Sequence, residues 1–400
     1  MWINIINMPD IRTSTAAKLI TVEAVAATLG ISRATVYAYA SRGLIKASPD
    51  PANPRRSLYD AHDVGHLAAK KKLGRSRKAI AASTVDWGDP VLRSRITNVD
   101  GGRLHYRGVD AATLSENATL EEAAALLWDC DGLPEAVGTA DVRFRHPVGA
   151  RPLPAARRCV ERLAELVTLG PWAPYRETAL PAAVSIMRET AAAAAGSEGP
   201  CAGPVHEHLS LAWTGGLDAA DVIRRCLVLC ADHELNASTY AARVVASTRA
   251  PLGACALAGL AALTGPLHGG LSDLIRSLLA DVLILAEPEA AIGARLARGE
   301  GVPGFGHPLY PDGDPRAIAI MSVVSIRPSW RRVVDAVEKL TGKHPHIDFA
   351  LVAVEREYEL PPDAAFAMFA TGRVVGWIAH ALEQWADGKL IRPRATYIGP

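Results

Sequence analysis

No C-x-x-C pair, no long uninterrupted apolar run, no surplus of one charge and no glycine-rich phosphate loop occur in this chain. Each absence removes a class of protein. The six cysteines, Cys130, Cys159, Cys201, Cys226, Cys230 and Cys255, lie scattered, and the first 20 residues lack the basic start and apolar run of a secretory signal. They therefore read as reduced thiols in a cytoplasmic protein. The longest uncharged stretch, Ala250 to Ser272, is broken by Pro251, Gly253, Gly259, Gly265, Pro266 and His268. What remains, Ala254 to Leu263, is too short to span a bilayer and suits a buried core helix, so no membrane partner is expected. The formal net charge is +1, from 43 Lys and Arg against 42 Asp and Glu, which excludes a general polyanion binder. Without strand–helix alternation opening on a glycine-rich turn, a doubly wound nucleotide domain is excluded too.

What is present is a chain of 400 residues, 49% hydrophobic and 21% charged, long enough for two or three domains with sizeable cores. Its charge is unevenly placed. Residues 1–80 hold 13 basic and 5 acidic residues, a net of +8 that leaves −7 for the remainder. A basic head on an acidic body points to two separate tasks.

In the head, Thr21 is a natural N-cap for a helix whose Val22, Val25, Ala26 and Leu29 share one face. Gly30 stops it. Ser32 caps a second helix, Arg33 to Arg42, closed by Gly43. Leu44 and Ile45 then open a hairpin-like stretch through Arg55 and Arg56 to Tyr59, and Asp60 caps a third helix running to about Lys72. "ITVEAVAATLGISRATVYAYASRGLI" followed by "RRSLYDAHDV" resembles a winged helix-turn-helix of the MerR or excisionase type, over residues 18–74 with a basic linker at 75–84. That resemblance implies DNA as a partner. Arg33, Thr35, Tyr37 and Tyr39 on the second helix would face a groove, and Arg55 and Arg56 in the wing would meet phosphates. The alternative is a small domain that packs on its neighbour, its lysine run a solvated linker.

From about Ala81 onward, Ala/Leu-rich segments with helical spacing alternate with Gly/Pro turns, which predicts an all-α body. Four segments concentrate polar chemistry there: "DHELNAST" at 232–239, "GPLHGG" at 265–270, "GVPGFGHPLYPDGDPRA" at 301–317 and "HPHIDFA" at 344–350. Each sets a His or Asp among glycines or apolar residues, where burial shifts pKa values and excludes water. Singly, each also has an ordinary reading as a cap, a core histidine or a turn. The spacing of His344, His346 and Asp348, and the triplet His206-Glu207-His208, invite comparison with metal sites, but neither completes a ligand pattern, so no metal is expected.

Taken in order, these segments resemble the citrate synthase family over residues 85–400. The resemblance begins at "ITNVDGGRLHYRGVDAATLSENATLEEAAALL" and ends at "GRVVGWIAHALEQWADGKLIRPRATYIG". It implies a mainly α, two-domain helical subunit, with a small domain inserted at about 270–365, acting as a homodimer with its active site in the cleft. It further implies a condensation of acetyl-CoA with oxaloacetate that needs no cofactor beyond the acyl-CoA substrate. Carried over by position, Asp348 matches the catalytic base, His268 the enolate-stabilising donor and His307 the residue that polarises the ketone. His233, Arg316 and Arg373 match ligands of oxaloacetate, and Arg392 matches an arginine reaching in from the partner subunit.

Those residue types suit the chemistry. Deprotonating a thioester α-carbon places charge on the carbonyl oxygen, so a base and a donor must act together. A dicarboxylate acceptor calls for arginine forks. Three departures accompany the match. Cys230 stands where a further histidine is common, Pro308 to Asp312 replace basic residues that would reach coenzyme A phosphates, and Ser272 stands where asparagine is usual. None touches the proposed base or its two histidine partners, so activity is expected with altered affinity or acyl preference. The alternatives are 2-methylcitrate synthase, acting on propionyl-CoA, and a DNA-binding regulator that senses oxaloacetate or acyl-CoA.

Overall fold

The computed structural model describes residues 19–41, 44–50, 53–72, 92–136, 153–169, 176–284, 287–395, 397 and 399. The chain divides into two compact units, Met1–Arg93 and Ser94–Pro400.

In the first unit, strand β1 (Leu19–Thr21) leads into helix α1 (Val22–Leu29), followed by α2 (Arg33–Ser41), β2 (Ala47–Asp50), β3 (Asn53–Asp60) and α3 (Ala61–Lys72). The caps arise as short polar side chains allow. Thr21 Oγ1 accepts from Ala24 N–H at 3.4 Å, Ser32 Oγ from Thr35 N–H at 3.2 Å and Asp60 Oδ1 from Asp63 N–H at 3.2 Å. Gly30 ends α1 in the left-handed conformation. The strands form an antiparallel sheet ordered β1-β3-β2, and β1 was not anticipated from the sequence. Val25, Leu29, Val36, Ile45, Tyr59 and Val64 make a separate small core, with Tyr39 packed against it. Tyr39 is therefore a core-facing residue and not one turned toward a groove. Gly43, the linker at 75–84 and the side chains of Arg55 and Lys70 to Lys72 lie outside the described residues.

The second unit opens with a meander, β4 (Thr97–Asp100), β5 (Arg103–Tyr106) and β6 (Val109–Asp110), in the order β4-β5-β6. The body is thus mainly helical rather than all-α. The alternation that drives it is visible along β5, where Leu104 and Tyr106 are buried while Arg103 is exposed. Helices follow: α4 (Ala111–Asn117), α5 (Leu120–Trp128), α6 (Ala155–Glu165), α7 (Arg176–Ala195), α8 (Val205–Thr214), α9 (Ala220–Cys230), α10 (Ala237–Ser247) and α11 (Leu252–Leu263). Then come α12 (Leu271–Ile284), α13 (Pro288–Ala297), α14 (Pro315–Met321), α15 (Pro328–Thr341), α16 (Ile347–Glu357) and α17 (Ala364–Asp387).

Helix α17 organises this unit. Its 24 residues are long and apolar enough to cross a membrane, yet 94% of the apolar window is buried inside the protein, which marks a central core helix. It packs against α5, α7, α9, α10, α11 and α16. Small residues permit the approach. A Cβ on Gly376 would lie 2.4 Å from both Ala231 O and Asp232 Oδ1, and one on Gly259 of α11 would lie 2.5 Å from the Trp377 ring. Trp128 Nε1 closes the other side by donating to Val375 O at 2.9 Å.

Gly376→Ala sets helix propensity against packing. Alanine gains about 1 kcal/mol in an unstrained helix, but a methyl driven onto a carbonyl and a carboxylate costs about 1–3 kcal/mol. Urea unfolding should therefore show the variant to be less stable than the parent.

Candidate active site

Six of the seven residues singled out in the body converge on one face of α17. The segment Asp232–Asn236 links α9 to α10 and presents His233. The turn between α11 and α12 presents His268, the loop 301–314 presents His307, and the first turns of α14 and α16 present Arg316 and Asp348. Arg373 projects from α17 itself.

Local chemistry fixes each one. Gly304 and Gly306 adopt positive φ, and the loop they shape is tied to the approach of α16 by Gly306 N–H to His344 O (2.8 Å) and His346 N–H to Gly304 O (2.9 Å). His307 Nδ1 accepts from Leu309 N–H at 3.2 Å, so its proton resides on Nε2, which makes that nitrogen a donor. Asp314 caps α14 by accepting from Arg316 N–H at 3.0 Å and grips the Arg316 guanidinium through Nε (3.0 Å) and Nη2 (2.8 Å). The same carboxylate accepts from Ile347 N–H at 3.0 Å, pinning the start of α16 and hence Asp348. Burial would raise the Asp314 carboxyl, but Arg316 beside it holds it below the usual carboxylate range.

Ser238 supports His268. Its hydroxyl accepts from Trp377 Nε1 at 3.1 Å and donates to Asn236 Oδ1 at 2.8 Å. With that one proton spent, the serine oxygen accepts at 2.9 Å from His268 Nε2, which places the imidazole proton on Nε2. His233 Nε2 lies 2.9 Å from Tyr310 Oη, and its ring meets His307 edge-on at 5.2 Å.

The electrostatics are uniform in sign. Burial pushes His268 down to about 4, with Arg373 adding to the effect and Asp348 opposing it. Burial likewise takes His307 to about 4, with Arg316 adding and Asp314 opposing, and holds His233 well below its ordinary value, helped by Arg316 and Arg373. All three imidazoles are neutral near pH 7. The two guanidiniums are not equally matched: Arg316 has its carboxylate, whereas Arg373 donates Nε to Cys230 O at 2.7 Å and leaves Nη2 buried without a hydrogen-bond partner among the described residues. An orphaned donor on a buried cation marks a place for an anion.

The comparisons agree with this geometry. The family model for the C-terminal domain of citrate synthase matches residues 86–394. The chain belongs to the citrate synthase family. Citrate synthase 2 of Bacillus subtilis is 29% identical, over 77% of this chain and 93% of its own. The 2-methylcitrate synthase of Shewanella oneidensis is 30% identical, over 84% of this chain and 96% of its own. The crystal structure of citrate synthase from Thermotoga maritima superposes with a TM-score of 0.63 at 27% identity, covering 78% of this chain and 94% of that one. This chain is therefore an enzyme of that family, with the family's mainly helical fold.

Within that family framework, the remaining expectations divide. Arg392 is exposed after the end of α17 and makes no hydrogen bond or ion pair among the described residues. Cys230 is fully buried, its thiol pushed up to about 12 by burial against the opposing pull of Arg373 and Arg316, so it keeps its proton, and its S–H is a weaker donor than an imidazole N–H. Two of the histidines considered for metal have other partners. His208 Nε2 lies 3.1 Å from Ser197 Oγ, and His344 Nδ1 lies 2.8 Å from Glu338 Oε1. No cluster suited to a metal ion occurs among the described residues. Sequence reasoning passed over Ser238, Tyr310 and Asp314, although all three lie inside the quoted segments. Their signal was polarity beside a histidine or arginine, but which partner each takes is a matter of three-dimensional contact.

The buried imidazoles predict a pH dependence of stability. A histidine held at about 4 when folded and near 6.5 when unfolded binds fewer protons in the folded chain between those values. Its contribution is complete above about 6.5 and is lost as pH falls toward 4. The urea midpoint should decline from pH 6.5 to pH 5, and less steeply in His307→Gln; a flat midpoint in the parent would show that these rings are not held neutral.

Proposed function

We propose that this enzyme condenses acetyl-CoA with oxaloacetate to give citrate and CoA, with Asp348 as base. The observation that carries the proposal is the pairing of a buried, anion-seeking Arg373 with neutral imidazoles on both sides of a carboxylate. Arg316, Arg373 and His233 hold the dicarboxylate acceptor. Asp348 takes a proton from the α-carbon of the thioester, and the electron pair moves to the carbonyl oxygen, where His268, in the tautomer whose Nε2 accepts a proton turned toward it by Ser238, donates through Nδ1. The enol carbon then attacks the ketone carbon, and its oxygen takes the proton offered by His307 Nε2. Water hydrolyses the thioester and releases the CoA thiol. Every group required belongs to the chain, so no cofactor is invoked. A neutral donor suits the step because an imidazole with no charge of its own still stabilises a developing oxyanion while leaving the Asp348 carboxylate a free base.

The division of labour follows from that scheme. Residues 85–400 form the catalytic domain, with a small domain at about 270–365 closing over the substrates, and a homodimer completes the site through Arg392 of the opposite subunit. Residues 18–74, followed by a linker at 75–84, form a winged helix-turn-helix that binds DNA. The exposure of Arg33, Tyr37 and Arg56 supports this reading, although Arg33 is shared with Glu23 at 3.2 Å and Thr35 Oγ1 lies 2.9 Å from Ser32 Oγ. A propionyl-CoA preference is the alternative that the similarity to the Shewanella enzyme raises, since one methylene is discriminated by only ~1–3 kcal/mol. A pure regulator would keep the substrate ligands and lack turnover.

Thiol release measured with oxaloacetate and each thioester decides among these. Turnover with acetyl-CoA at the higher kcat/KM is expected, propionyl-CoA in front would indicate 2-methylcitrate synthase, and no turnover would leave the regulator. Asp348→Ala should lower kcat by about 10²–10⁴-fold without unfolding the chain; a near-normal rate would mean that another group is the base.

Full-length protein should also retard duplex DNA in gel shifts, with affinity falling by at least about 10-fold between 50 and 200 mM salt. Absence of a shift at low salt would remove the DNA-binding assignment and leave the catalytic one standing.

A further inference from the structure

His346 first attracts notice through its spacing from His344 and Asp348, and the structure gives it a different task. It caps α16, its Nδ1 accepting at 3.3 Å from the backbone N–H of Asp348. The same nitrogen lies 3.1 Å from Asp348 Oδ2, with the side chains of both residues almost enclosed, at 9% and 14% exposure. Among the described residues it is the one side chain within hydrogen-bond reach of that carboxylate. Its ring also meets His307 edge-on at 6.4 Å, so it stands between two of the groups that the condensation requires.

Two acceptor atoms at 3.1 Å repel unless one proton lies between them. With the proton on Nδ1, that nitrogen no longer accepts from Asp348 N–H, Oδ2 is occupied and the carboxylate is anionic, so an incoming proton must go to Oδ1. With the proton on Oδ2, the carboxyl is neutral and useless as a base, and Nδ1 serves only as the helix cap. The proton on Nδ1 therefore fixes which oxygen of Asp348 is reactive and which way it faces.

We infer that His346 is a positioning residue for Asp348, holding the carboxylate by an Nδ1–H···Oδ2 hydrogen bond. The inference rests on the reading of Asp348 as the base.

The test is thiol release by the full-length enzyme and its His346→Asn and His346→Ala variants at pH 8 and saturating oxaloacetate. Asparagine keeps a donor at the place of Nδ1 and should retain kcat within about threefold. Alanine leaves the carboxylate unheld and should lower kcat by about 10–100-fold, with the KM for oxaloacetate unchanged. Circular dichroism and urea midpoints separate this from loss of the helix cap, because a cap defect moves stability and leaves kcat in place. An alanine variant with parental kcat, or an asparagine variant as slow as the alanine one, would overturn the inference. If instead Asp348→Ala is itself active, it is the assignment of the base that fails.

Discussion

A single buried carboxylate, Asp314, holds the catalytic geometry together. It caps α14, neutralises Arg316 with a two-pronged grip and receives the first backbone N–H of α16. Four donors converge on two oxygens that solvent scarcely reaches. Removing one member of a buried ion pair typically costs about 3–5 kcal/mol because the other is left uncompensated. Here the loss would also release the N-terminus of the helix that carries Asp348. Arg316 and Asp348 thus share one anchor, and their separation is set by its bonds rather than by long side chains.

Around this anchor the site is arranged by sign. Two guanidiniums and low-dielectric walls keep three imidazoles uncharged, which turns each into a neutral hydrogen-bond donor or acceptor whose role is fixed by its second nitrogen. Leu309 N–H fixes His307, Ser238 sets His268 and Tyr310 partners His233. Were these rings protonated, their charges would add to those of Arg316 and Arg373.

Much of this was legible from the residues alone. The caps Thr21, Ser32 and Asp60 and the stop at Gly30 follow from short-range chemistry, and the structure forms them where the letters put them. Six of the seven body residues named from family resemblance lie together, because the ordered motifs fix loops that a helical scaffold brings to one face. What was not legible depends on distant partners. The β4–β6 meander was lost inside a segment read for helices, and β1 is only three residues long. Asp314 read as part of a turn, His346 as part of an incomplete metal site, and Ser238 drew no reading. Asp314 and Ser238 acquire their meaning from groups tens of residues away. Arg392, exposed beyond the end of α17, makes no hydrogen bond or ion pair with the other six among the described residues.

The indole of Trp377 lies where a side chain on residue 259 would have to be, while its Nε1 holds Ser238 against His268. The two positions are therefore a single inherited choice: while the indole is kept, residue 259 has no freedom to drift, and exchanging the indole for a smaller ring to relax that constraint would loosen the serine that orients a reacting imidazole. Descendants of this chain can recolour most of its interior, but along that line neither residue can change without the other.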